Sequence, residues 1–244
     1  MHWPSVLEVR GLRVARGHRL VLRGLDLSLA RGISAALIAP NGAGKTTLME
    51  AIVGLIAVDS GTVAVAGVAL DDAPVRVRSR IGFMVPEASL PPGLTPAQFW
   101  GFCGQARRDA GFDAKAATLA DRFGCGGDVH APIAGLSFGT RQKIALVAAL
   151  AVDADLFVLD EPFNGLDALA VHELQACLNE HRDAGRTILA SLHGIDRVAR
   201  HFDIALRMVD GTVGLPVDLR AWRANGASCE SIEAGLTESL RAPS

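Results

Sequence analysis

The chain has 244 residues, half of them hydrophobic, enough for one large α/β domain or one domain with a subdomain and a substantial core. A net charge of −2 gives no electrostatic argument for a nucleic-acid partner, and four well-separated cysteines (Cys103, Cys125, Cys177, Cys229) fit neither a disulfide framework nor a zinc site; they read as packing residues in a reducing compartment. Met1-His-Trp-Pro lacks the basic and apolar regions of a signal peptide, and the longest uncharged apolar run, Ile144 to Val152, is far short of a membrane span, so any membrane crossing is expected of another chain.

Taken in order, Val6 to Arg10 alternates and predicts a strand. Leu20 to Leu29 predicts a second, interrupted by Gly24, and Arg31-Gly32 turns the chain into the apolar run Ile33 to Ala39. A glycine-rich turn follows, then a helical pattern from Leu48 to Ile56. Asp59-Ser-Gly-Thr marks a turn before the alternating strand Thr62 to Ala66, and Arg80 to Val85 predicts another strand, ended by Pro86-Glu87. Residues 88–135 change character. Prolines, glycines and two helical patches, about Pro96 to Ala110 and Ala114 to Phe123 with Asp113 as N-cap, predict a helical insertion between strands. After Leu136-Ser-Phe-Gly-Thr140 come a helix, Arg141 to Val152, and a continuous apolar strand, Asp155 to Asp160, as expected for a strand buried in a parallel sheet. A helix (Leu169 to Asp183), a strand (Arg186 to Ser191), a short helix (Ile195 to His201) and a hairpin turning at Asp210-Gly211 complete the pattern. Residues from about 217 onward are weakly patterned. There is no internal repeat, and strands alternating with helices predict an α/β fold with a mostly parallel sheet.

Two motifs carry chemistry. In Ala39-Pro-Asn-Gly-Ala-Gly-Lys-Thr-Thr47, strand, glycine-rich turn and helix form the arrangement that cradles phosphate with backbone N–H groups. Asn41, Gly42, Ala43, Gly44, Lys45, Thr46 and Thr47 would line it. Lys45 would reach the β- and γ-phosphates, and the Thr46 hydroxyl would ligate Mg²⁺. The usual opening glycine is Ala39 here; Pro40 biases that residue toward extended backbone, where a Cβ is tolerated, so the loop is expected to survive. The second motif is Leu156-Phe-Val-Leu-Asp-Glu161, which places carboxylates at the C-terminal tip of a buried strand, the edge where doubly wound sheets bind ligands. Asp160 would hold Mg²⁺ through its water shell, and Glu161, next to the γ-phosphate, would polarise an attacking water.

With these motifs the chain resembles the ATP-binding cassette (ABC) ATPases over about residues 5 to 215. Leu136-Ser137-Phe138-Gly139-Thr140 resembles the signature motif, departing from its usual form at Phe138 and Thr140; Ser137 and Gly139 carry over, and Ser137 also reads as a helix N-cap. Asn164 to Asp167 is similar to the D-loop, and His193 to the switch histidine that touches the γ-phosphate. Glu87 stands where most of the family has the Q-loop glutamine; a carboxylate there can approach Mg²⁺ or its waters. The family stacks an aromatic ring on adenine, and this chain has no tyrosine; Arg16 falls at that place, with a guanidinium plane able to stack on a base. The resemblance implies a P-loop NTPase-type mostly parallel sheet with an antiparallel N-terminal β region. It implies a catalytic core from 5–87 and 136–215, a helical subdomain at 88–135 that docks on a membrane partner, and a C-terminal tail at 216–244.

It further implies ATP and Mg²⁺ as cofactors, permease subunits as partners, and a position on the cytoplasmic face of the cell membrane. A head-to-tail homodimer is expected, each ATP lying between one protomer's phosphate loop and its partner's Ser137–Thr140. Catalysis would rest on Glu161, His193 and Lys45. Glu87 and Thr140 to Lys143 look more like exporters with separate permeases than importers, and Val14 to Leu22 resembles haem-exporter-like systems of cytochrome c maturation. The alternatives are a soluble ABC protein of translation or DNA repair, which usually has two cassettes, a coiled-coil arm or a basic face, and a regulatory module that binds nucleotide without useful turnover.

Overall fold

A computed structural model describes residues 5–192 and 195–241. In chain order it contains β1 (Ser5–Arg16), β2 (Arg19–Ala30), β3 (Ser34–Ile38), α1 (Lys45–Ile52), β4 (Ser60–Val65), β5 (Val68–Ala69), α2 (Pro74–Ser79) and β6 (Ile81–Phe83). There follow α3 (Pro96–Arg107), α4 (Phe112–Arg122), α5 (Phe138–Leu150), β7 (Leu156–Leu159), α6 (Ala168–Asp183) and β8 (Thr187–Leu192). The chain ends with α7 (Ile195–His201), β9 (Ile204–Val209), β10 (Thr212–Val213), β11 (Val217–Asp218), α8 (Leu219–Ala224) and α9 (Cys229–Arg241).

Two sheets result. The N-terminal one is antiparallel, in the order β2-β1-β4-β5. The second runs β10-β9-β3-β8-β7-β6, parallel from β9 to β6, with β10 and β11 antiparallel on β9. Side chains alternate across this second sheet, so Ala36, Ile38, Phe157, Leu159 and Ala190 join one buried cluster with α5, α6 and the helical insertion. Ala35, Leu37, Leu156, Val158 and Leu189 join the other cluster, with β1, β2 and α1. Both faces of β3, β7 and β8 are therefore covered, which is why these strands read as unbroken apolar runs.

Because β3, β6, β7 and β8 are parallel, their C-terminal ends lie along one edge of the sheet. The chain leaves that edge at Ala39, Met84 and Asp160, so three of the sequence motifs are delivered to the same side. Residues 88–135 form α3 and α4, tied to α5 by the Trp100 indole N–H, which donates to the Ile144 carbonyl at 3.2 Å. α3 opens with a reciprocal capping box between Thr95 and Gln98.

Several expectations need correction. β1 continues past Arg10 to Arg16, its register with β2 shifting around Gly11 and Leu12. α4 starts at Phe112 with Gly111 at the cap, and Asp113 lies inside the first turn. Asp109 holds this entry instead: its carboxylate accepts from the Gly111 N–H at 2.9 Å and pairs with Lys115 at 2.9 Å. α1 begins at Lys45 and ends at Ile52, ahead of Gly54, whose φ is 69°. The weakly patterned end folds as β11, α8 and α9, burying Leu219, Ile232 and Leu236.

Candidate functional site

The phosphate loop joins β3 to α1. Gly42 and Gly44 adopt φ values of 76° and 108°, a region that non-glycine residues avoid. Gly44 is also packed tight, since a Cβ there would lie 2.9 Å from Val21 Cγ1 and 3.0 Å from Met208 Cε. It occupies the N-cap of α1 with no side-chain cap, so the first N–H groups of the helix are left to an anion. Ala39 is buried at the end of β3 and part of the core, so the missing first glycine leaves the turn intact. Lys45 is 6 % exposed, and its ammonium donates to the Ala39 carbonyl at 3.0 Å, which keeps the charge over the loop. Thr47 lies in the first turn of α1.

β7 brings two acids to this edge. Asp160 accepts a hydrogen bond from the Thr46 hydroxyl at 2.6 Å and another from the Ser191 hydroxyl of β8. Glu161 follows in the left-handed region, at φ 49°. Its N–H donates to Ser191 Oγ at 2.9 Å, its carbonyl accepts from the Gln142 amide at 3.1 Å, and its carboxylate accepts from the Asn164 amide. Strain of this kind persists where the surroundings over-determine it, and here the peptides on both sides of Glu161 are held. An open cleft of about 360 Å³ is lined by Arg19, Val21, Asn41, Gly42, Gly44, Lys45, Thr46, Thr47 and Glu161. A glycine-rich turn at a helix start, a cation and a carboxylate thus share one space, as a phosphate site requires. Thr46 and Asp160 are hard oxygen donors in direct contact, a set that suits Mg²⁺, which takes one or two protein ligands beside phosphate oxygens.

Glu87 opens a 3₁₀ turn, Glu87–Ser89, after β6. Its neighbours Pro86 and Ser89 line a second groove, beside the first, that also touches Thr46 and Asp160. Ser137 caps α5, accepting from the Thr140 N–H at 3.1 Å, as a helix-start serine should. Gly139, one residue into the helix, faces the 164–167 loop, where a Cβ would come within 2.5 Å of the Gly165 carbonyl oxygen. Neither Ser137 nor Gly139 lines the cleft at the phosphate loop. Asp167 caps α6 and accepts from Lys143, whose hydrogen bond holds its carboxyl below the usual carboxylate range. Arg16 is ion-paired with Glu50 of α1, and it is Arg19 that lines the cleft. His193 lies outside the described residues.

The structure adds Ser191, Gln142 and Arg19 to the residues read from the sequence and gives Asn164 a direct contact with Glu161. Asn164 had a signal there as part of the Asn164–Asp167 motif, and Gln142 only as a member of the Thr140–Lys143 run; Ser191 and Arg19 had none. No group of three or more His, Cys, Asp or Glu able to hold a metal occurs among the described residues, and no helix among them is long and apolar enough to cross a membrane.

Comparison with known proteins places this geometry in a family. Residues 22–164, more than half of the chain, match the family model described as ABC transporter. A cytochrome c biogenesis ATP-binding export protein of Nitrobacter hamburgensis is 35 % identical over 191 residues, covering 77 % of this chain and 91 % of its own length. A zinc transport system ATP-binding protein of Treponema pallidum is 33 % identical over 82 % of this chain and 77 % of that one. A Nod factor export ATP-binding protein of Ralstonia nicotianae is 32 % identical over 81 % of this chain, which spans 62 % of that relative's length. Among solved structures, an ATP-binding subunit of an ABC transporter superposes with a TM-score of 0.84 at 29 % identity, covering 95 % of this chain and 99 % of its own. A dimeric post-hydrolysis cassette holding ADP and phosphate shares the fold, with a TM-score of 0.76 at 22 % identity and coverage of 88 % and 99 %.

Proposed function

We propose that this chain, which belongs to the ABC transporter family and is an ATP-binding, ATP-hydrolysing subunit of a transporter, energises export through separate membrane-spanning subunits. ABC ATPase domains dimerise and work with permeases. For this chain we assign the partner to a second copy of itself and the location to the inner face of the membrane. Residues 5–87 and 136–215 would be the catalytic core, 88–135 the subdomain that meets the permease, and 216–244 a tail.

Asn41 to Thr47 cradle the phosphates, with Lys45 neutralising the charge that builds on the transferring group. Thr46 and Asp160, with Glu87 nearby, would hold Mg²⁺, which supplies charge neutralisation across the phosphates when bound. Glu161 accepts the proton of the attacking water, and His193 meets the γ-phosphate. Arg16 would stack on the base after leaving Glu50. Ser137 and Gly139 serve the nucleotide of the partner, in keeping with their place away from this chain's own cleft. The observation that carries the reading is the Thr46–Asp160 contact at 2.6 Å, which closes the phosphate loop onto the carboxylate strand.

The export direction rests on similarity to the cytochrome c biogenesis and Nod factor export proteins. A second reading, service in cytochrome c maturation, is favoured by the 91 % coverage of the Nitrobacter hamburgensis relative. The test is Glu161→Gln. It should bind ATP, lose nearly all turnover and accumulate as a dimer on a sizing column; retained hydrolysis removes Glu161 from its assigned role.

A further inference from the structure

The first two turns of α5 grip the 161–167 loop at three points. The Gln142 amide donates to the Glu161 carbonyl at 3.1 Å. Gly139 packs on the Gly165 carbonyl so closely that a Cβ would come within 2.5 Å of it. Lys143 pairs with Asp167. Gln142 is 3 % exposed, one of very few buried polar side chains among the described residues, and its amide is spent on this one peptide. A buried amide is costly without a partner, so its bond is kept wherever the helix goes. The peptide it holds is the one whose residue sits at φ 49°, and the direction of the Glu161 side chain depends on that backbone angle.

We infer that Gln142 is a positioning residue: its buried amide fastens the Glu161 carbonyl to the helix that begins at Ser137, so that a ligand engaged at Ser137 and Gly139 acts on Glu161 of the same chain. The inference rests on the roles proposed above for Glu161, Ser137 and Gly139. Ser137 is the N-cap of α5 and Gln142 lies little more than one turn along the same helix. A helix moves as a rigid piece over that distance, and packed contacts pass its motion on as discrete shifts. In a head-to-tail dimer the nucleotide at Ser137 belongs to the partner's phosphate loop. Gln142 therefore links occupancy of one site to the aim of the general base in the other. Each chain would test, through its own α5, whether the second site is filled.

The experiment uses the full-length chain and Gln142→Met, which conserves volume and removes the donor. Nucleotide affinity, from equilibrium titration with a fluorescent ATP analogue, should stay within about twofold of wild type. Turnover at saturating Mg-ATP should fall roughly 10- to 100-fold, the loss expected when a reacting group is misplaced by about 1 Å. In a double-mutant cycle with Ser137→Ala, the turnover losses should be strongly less than multiplicative. Gln142→Asn keeps an amide but falls short of the carbonyl, and it should share the turnover defect while remaining well folded. Wild-type turnover in both Gln142 variants overturns the inference, as do losses that multiply with Ser137→Ala. Glu161→Gln is assayed in parallel. If that variant still hydrolyses ATP, the role of Glu161 fails; if it is inactive while the Gln142 variants are not, the inference alone fails.

Discussion

Ser191→Ala tests the other peptide that flanks Glu161. Ser191 is fully buried in β8, and its hydroxyl performs two tasks, accepting from the Glu161 N–H at 2.9 Å and donating to the Asp160 carboxylate. Removing the hydroxyl leaves a backbone donor without its partner and strips a charge-assisted bond from Asp160. Fully buried, the two losses would total about 2.5–6 kcal/mol. Asp160 and Glu161 are only half-buried, so water replaces part of what is lost, and the expected destabilisation is about 1–3 kcal/mol. Alanine leaves little empty volume, so no large cavity contribution is added. The left-handed Glu161 then loses the hydrogen bond on its N–H and keeps only those on its carbonyl, from Gln142 and the Asn164 N–H, and turnover should fall at least roughly tenfold. Urea denaturation gives the stability and phosphate release at saturating Mg-ATP gives the rate. A stability change below about 0.5 kcal/mol together with turnover within about twofold of wild type would refute the clamp.

Gly44→Ala should cost about 2–5 kcal/mol and abolish nucleotide binding, because it adds a left-handed alanine to an overpacked contact with Val21 and Met208; thermal melts and ATP titration check both. Asp155 is pushed up by its burial, but hydrogen bonds and charge from Arg31 and Arg80 more than offset this, so its carboxyl lies below the usual range. A depressed folded pKa adds stability above the unfolded value, near 3.9, and loses it as pH falls through the folded one. Asp155→Asn should therefore destabilise the protein at pH 7, with the gap to wild type closing below about pH 4 in urea titrations. Burial pushes the His181 imidazole down, helped by the charges of Arg186 and Arg122 and opposed by Glu180 and the Leu150 carbonyl. Its ring packs on Phe157 with centroids 4.3 Å apart. It adds stability above about pH 6.5 that is lost as pH falls toward its folded pKa, and His181→Gln should flatten that acid-side decline in melts between about pH 6.5 and 5.

The phosphate loop was legible because its chemistry is local: glycines, lysine and threonine must follow one another within the reach of one turn. Asp160 and Glu161 were legible because a strand buried on both faces shows its end where charge begins. The residues that hold them were not. Ser191 and Gln142 meet Glu161 from positions 30 and 19 residues away, and nothing in an apolar strand or an amphipathic helix marks which polar side chain turns toward which peptide. Arg16 shows the same limit, since its place at the end of β1 was not read from the sequence and its ion pair with Glu50 joins it to α1, 34 residues on. The end of the chain hid a helix because its buried pair, Ile232 and Leu236, is one contact four residues apart in an otherwise polar stretch. Asp113 misled as a cap because a second acid, Asp109, stood four residues earlier and had a lysine to hold it.

Two helix starts, α1 and α5, carry the motifs assigned to nucleotide, and they differ in a way that bears on the proposal that two chains share each site. α1 begins at a glycine with no side-chain cap, so its first N–H groups are open to an anion from outside. α5 begins at a serine that already satisfies the Thr140 N–H, and its next residue, Phe138, is half-exposed and packed against the Gly165 turn. The first helix has no cap of its own; the second is capped by Ser137 and would offer Ser137 and Gly139 to a phosphate without depending on it. A site closed between such ends can open without unfolding either chain. On that proposal the energy of closure comes from the nucleotide, and the bonds from Gln142 and Ser191 to Glu161 are where closure would reach the general base.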